Sequence, residues 1–173
     1  MRKTPKSTII SYFVIVEFVL LVGCSTLPRQ VVAGCASLSG DVLTEMVHAE
    51  FGVWYRGDDR EYMIPSEAVM RRVVKTVHYR LLSWQYDPES RDCDDFARRG
   101  RCDYIDEVTD LCRLRGVSTP VLILHVTTPR GAHAVCALPA QQVDGDVKWY
   151  VWEPKMGYLT SADVYPYTIN YAR

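Results

Sequence analysis

The sequence predicts an α+β domain, on three observations. Residues 41 to 116 carry apolar side chains at helical spacing, and residues 120 to 152 switch to β-branched and aromatic runs. The two kinds of segment are not interleaved, so helices pack on an antiparallel meander rather than within βαβ units. Apolar residues make up 48% of the 173-residue chain, enough to fill one core at this length.

The first helix is expected from Asp41 to Phe51, where Val42, Leu43, Met46, Val47 and Phe51 share one face. A polar connection with Gly57-Asp58-Asp59 follows. Pro65 and Ser66 then open a second helix through Val69, Met70, Val73, Val74, Val77, Leu81 and Leu82. The segment Tyr86-Asp87-Pro88-Glu89-Ser90-Arg91 breaks that period. A third helix is predicted to start near Cys93 and stop at Gly116, with Phe96, Ala97, Tyr104, Ile105, Val108, Leu111 and Cys112 facing inward. Strands follow at Pro120 to Val126, His133 to Leu138 and Lys148 to Trp152, separated by turns at Pro129-Arg130-Gly131 and Asp144-Gly145.

Ahead of this domain, Arg2, Lys3 and Lys6 precede an apolar stretch from Ile9 to Val22. A basic start, an apolar centre and a small-residue end describe a secretory signal, here residues 1–23. Glu17 opposes it, since an acid in an apolar segment costs about 2.5–3.5 kcal/mol at mid-membrane, but seven apolar neighbours offset that. Leu21-Val22-Gly23-Cys24 resembles a bacterial lipobox, which makes Cys24 the lipidated residue and 24–39 a lipidated tether before a domain at 40–173. Val32-Ala33-Gly34-Cys35 has a similar pattern without an apolar run directly before it, and an uncleaved membrane anchor is the alternative. Each reading places the domain at a membrane surface in the cell envelope.

Composition excludes some functions. Twenty basic residues nearly cancel twenty-one acidic ones, which leaves no electrostatic footprint for nucleic acid. None of the six cysteines forms a Cys-x-x-Cys pair, so no structural metal is expected, and no cofactor. Setting aside Cys24 and Cys93 leaves Cys35, Cys102, Cys112 and Cys136, enough for up to two disulfides. Cys102 and Cys112 share a predicted helix and lie ~15 Å apart along it, too far to bridge each other.

Candidate chemistry centres on Asp92-Cys93-Asp94-Asp95. A cysteine at a helix start meets outward-pointing backbone N–H groups, which favour the nucleophilic thiolate. Asp94 and Asp95 suit a helix N-terminus, although their charge works against the thiolate. His133, in Gly131-Ala132-His133-Ala134, is flanked by small residues that let another side chain approach. If the second and third strands pair about a turn centred near Val143, His133 and Glu153 face each other, since their numbers sum to 286. Cross-strand Cβ atoms lie ~5 Å apart, within reach of a carboxylate that orients an imidazole. Cys93, His133 and Glu153 would then be nucleophile, base and orienting acid. The backbone N–H of Cys93 and the side chain of Gln85 are the candidate oxyanion donors.

Asp92-Cys93-Asp94-Asp95-Phe96-Ala97, Ala132-His133-Ala134-Val135 and Trp152-Glu153-Pro154 together resemble the bacterial and phage transglutaminase-like cysteine peptidases of the papain-like superfamily. The resemblance covers roughly Ser83 to Leu159 and departs in its acid, a glutamate where aspartate or asparagine is usual. It implies a papain-like fold with the nucleophile helix packed on a small antiparallel sheet. It further implies a thiol-dependent hydrolase or acyl transferase acting on peptide or isopeptide amides at the envelope. The competing expectation is a non-catalytic envelope lipoprotein that binds a partner through the same scaffold, with Tyr158, Tyr165, Tyr167 and Tyr171 as a candidate surface.

Overall fold

The computed structural model describes residues 35–55, 59–85, 92–112 and 118–172. The predicted signal segment, Cys24, the breaker at 86–91 and the helix stop at Gly116 lie outside them. Among the described residues the fold is α+β, with three α-helices, a short 3-10 helix at Ala162–Val164, a five-stranded antiparallel sheet and a separate two-stranded pair.

Cys35–Ser39 form strand β1, which pairs antiparallel with β2, Glu61–Pro65. This corrects the boundary expected at residue 40, because five residues assigned to the tether belong to the fold. Their small, weakly alternating side chains gave no strand period, and only pairing with Tyr62 and Ile64 reveals them. Between the two strands runs helix α1, Gly40–Phe51, whose Val42 N–H donates to the Ser39 hydroxyl. Gly52 closes it in the left-handed region, with φ 66°.

Pro65 is the last residue of β2 rather than the first of a helix, and Ser66 is the N-cap of α2, Glu67–Leu81. Helix α3, Cys93–Cys112, begins where predicted. Its cap is Asp92, whose Oδ1 accepts from the backbone N–H groups of Asp94 and Asp95 at 2.9 and 3.2 Å.

The large sheet contains β3 (Leu122–Thr128), β4 (Gly131–Gln141), β5 (Val147–Glu153), β6 (Tyr158–Ser161) and β7 (Thr168–Ala172), in spatial order β6-β5-β4-β3-β7. Its edge strands β6 and β7 come from the tyrosine-bearing tail, where short length and polar spacers hid the period.

Strand β4 explains why the sheet sits between helices. Residues 134–140 are buried without interruption. Ala134, Cys136 and Leu138 pack with Met70, Val73, Val77, Phe96 and Tyr104 of α2 and α3. Val135 and Ala137 pack on the other side with Leu43, Val47 and Phe51 of α1. A strand covered on both faces reads as one continuous apolar run rather than an alternation. The same division continues in β5, with Trp152 toward α2 and α3, and Trp149 and Val151 toward α1.

Candidate functional site

The β4–β5 register decides how His133 and Glu153 meet. Cys136 pairs with Trp152 and Leu138 with Tyr150, so paired numbers sum to 288 rather than the expected 286. The turn is centred one residue later than expected, and His133 is a diagonal rather than a direct neighbour of Glu153. Diagonal neighbours remain within reach of long side chains. His133 Nε2 and Glu153 Oε1 lie 3.1 Å apart, with both side chains about one-quarter exposed. The carboxylate accepts, so Nε2 carries the hydrogen and Nδ1 of a neutral ring is left as an acceptor.

The segment after Glu153 is held from two sides. Pro154 is buried, and its carbonyl accepts from His78 Nδ1 at 3.1 Å. Gly157 returns its N–H to the Glu153 carbonyl at 2.8 Å. Gly157 has φ 74°, and a Cβ there would lie 2.6–2.8 Å from the His78 ring, so conformation and space both require glycine. On the other side, Gly100 of α3 lets Pro154 approach the helix backbone. His78, expected as an ordinary helix position, thus positions the turn that carries Glu153.

Cys93, His133 and Glu153 line one open cleft of about 610 Å³, together with Arg130, Lys155 and Tyr158 among others. No hydrogen bond joins the Cys93 thiol to His133 among the described residues. Gln85 is exposed beyond the end of α2 and does not line the cleft. Cys24 lies outside the described residues. Of the tail tyrosines, Tyr158 and Tyr167 reach the cleft, while Tyr165 stacks edge-on to Tyr167 at 5.4 Å. Burial, and next the negative charge of Glu153, push the Tyr165 phenol up to about 12, so it stays protonated.

Arg130 and Lys155 are the cleft residues that sequence reasoning missed as functional. Arg130 was legible only as part of the β3–β4 turn, and Lys155 as the residue after a strand-ending proline. Neither position carries a motif, and only the sheet's closure brings the two turns together. Among the described residues, no group of three or more His, Cys, Asp or Glu side chains is arranged to hold a metal.

With this geometry in view, solved structures place the fold. The chain resembles half of a fungal lectin. The match is to a Polyporus squamosus lectin bound to the human-type influenza-binding epitope Neu5Aca2-6Galb1-4GlcNAc, with TM-score 0.61 and 18% identity. It covers 79% of this chain and 49% of the lectin chain. A structure of a PSL1a–E64 complex matches with TM-score 0.58, 19% identity and the same coverages of 79% and 49%. No protein-family model and no curated protein matches the sequence. The chain thus spans about half the length of these solved chains.

The resemblance to transglutaminase-like cysteine peptidases, and the papain-like fold drawn from it, are corrected by the fold being shared with about half of a chain named as a Polyporus squamosus lectin. The thiol-dependent hydrolase or acyl transferase read from that resemblance is corrected with it. The structure nonetheless brings Cys93, His133 and Glu153 to one cleft, with the imidazole hydrogen-bonded to Glu153.

Proposed function

We propose that this chain is a binding domain whose ligand is a carbohydrate, held in the cleft between the β3–β4 turn and the turn after β5. The observation that carries the reading is the set of groups gathered there. Glu153 accepts hydrogen bonds, Arg130 and Lys155 donate them, and Tyr158 and Tyr167 offer exposed ring faces at 66% and 39% relative exposure. A sugar has hydroxyls that donate and accept, together with a C–H face that packs on an aromatic ring. An open cleft with a few convergent polar groups and aromatic walls suits it. The likeness to lectin structures supports the same ligand class. Lipidation at Cys24, a proposal from the sequence, would hold the cleft at an envelope surface. Among the described residues no helix is long and apolar enough to cross a membrane.

The test is retention of the full chain on a panel of immobilised saccharides, followed by titration with any that bind. Glu153→Gln keeps the shape but removes the charge from the hydrogen bonds it makes, which are worth about 1.5–3 kcal/mol each. Affinity is expected to fall by about 10- to 100-fold. His133→Ala, which frees the carboxylate from its partner, is expected to weaken binding less. Absence of retention on any saccharide, or equal affinity for Glu153→Gln and the parent, contradicts the reading.

A further inference from the structure

Cys35 and Cys112 meet in the core. Cys35 opens β1 and Cys112 closes α3, and they are 3% and 2% exposed. Their Sγ atoms lie 2.9 Å apart although 77 residues separate them in the chain. That separation is longer than a covalent S–S bond of about 2.05 Å but shorter than unbonded sulfurs ordinarily approach. Both are free thiols here. The other buried thiol is differently engaged, since Cys136 Sγ contacts the Ala97 carbonyl at 3.3 Å. Cys102 is exposed on α3.

We infer that Cys35 and Cys112 are a disulfide-forming pair that, when oxidised, staples β1 to the C-terminal end of the helix whose first residue is Cys93. The sequence excluded only a Cys102–Cys112 bridge among the four cysteines, and the fold brings Cys35 and Cys112 together. The oxidant is a low-molecular-weight disulfide of the glutathione class. One protein thiolate attacks a sulfur of the oxidant and expels the first small thiol, leaving a mixed disulfide. The second protein thiol attacks the protein-bound sulfur, forms the intramolecular bond and expels the second small thiol. The pair loses two electrons and two protons, and the oxidant gains both as two thiols.

Burial determines when this happens. The Cys35 thiol is pushed up to about 12 by desolvation, reinforced by its neighbour Cys112. In the folded protein it is therefore a poor nucleophile. Exchange then proceeds during folding, or through local opening of β1, rather than in the closed state. Once made, the bond is shielded from reductants by the same burial.

The full chain is refolded with a glutathione/glutathione-disulfide mixture, free thiols are trapped with iodoacetamide, and non-reduced proteolytic peptides are identified by mass spectrometry. The expected product is a peptide linking Cys35 to Cys112, with Cys93, Cys102 and Cys136 alkylated. The oxidised chain is expected to melt about 10 °C above the same chain kept in dithiothreitol, because closing a long loop restricts the unfolded chain. Cys35→Ser is expected to remove both the linked peptide and the shift. Should that variant not fold, the comparison of oxidised and reduced parent chain stands by itself. Alkylation of both Cys35 and Cys112 after oxidative refolding, or a linkage of either to another cysteine, overturns the inference.

Discussion

Truncating Trp152 to alanine is expected to lower stability by about 4 kcal/mol, within the 3–5 kcal/mol typical of large aromatic deletions in a core. Trp152 is the largest fully buried side chain in the described residues. Its ring lies 6.2 Å from that of Tyr104, tilted by 45°, and its edge reaches the backbone of α3 at Gly100. Deletion removes packing on α3 and leaves a void between sheet and helix that rigid neighbours fill only in part. Set against a total stability of about 5–15 kcal/mol for a domain, the loss is severe. Urea denaturation should show the midpoint falling by about 2 M with an unchanged slope. Trp152→Phe should cost clearly less, since it keeps a ring in place and removes an indole N–H that has no hydrogen-bond partner among the described residues. A midpoint shift below about 0.5 M for the alanine variant would show that the sheet and α3 do not depend on this contact.

Gly100→Ala sets two effects of opposite sign against each other. Within a helix, alanine is favoured over glycine by about 1 kcal/mol. A Cβ at this position, however, would stand 2.8 Å from both Cβ and Cγ of Pro154 and 3.2 Å from Cη2 of Trp152. Pro154 is rigid and buried, so it does not swing aside as a flexible side chain would, and overpacking costs about 1–3 kcal/mol. Destabilisation of about 1–2 kcal/mol is therefore expected, with Gly100→Leu losing considerably more. Because Pro154 directly follows Glu153, the displacement should also weaken ligand binding, although residue 100 does not line the cleft. Thermal melts and ligand titrations on the same variant separate the two readouts. A more stable Gly100→Ala variant would mean that helix propensity outweighs the contact.

The sequence made some of this visible and hid the rest for identifiable reasons. Helices α1, α2 and α3 were legible because each buries one face at a 3.6-residue period, and β3 to β5 because their apolar runs are bounded by turn residues. Strand β1 is hidden in the sequence because its small residues show no alternation, and β6 and β7 because four- and five-residue edge strands carry little pattern. The proximity of His133 and Glu153 was legible from hairpin arithmetic, although the turn sits one residue further on than expected. What three short motifs could not convey was the company that the site keeps. Arg130 and Lys155 are ordinary turn residues in the sequence, and only the closed sheet places them in one cleft with Tyr158. The motifs resembled one family, whereas the backbone follows half of a lectin chain.

The account depends on a ligand entering the cleft beside Glu153. Chemical-shift mapping of the isotopically labelled chain, titrated with a saccharide that it retains, tests this directly. The expected result is a set of perturbed amides confined to residues 128–133 and 153–158. Shifts clustered instead around the separate groove of Arg71, Lys75, His78 and Tyr79, with those two turns unmoved, would contradict it.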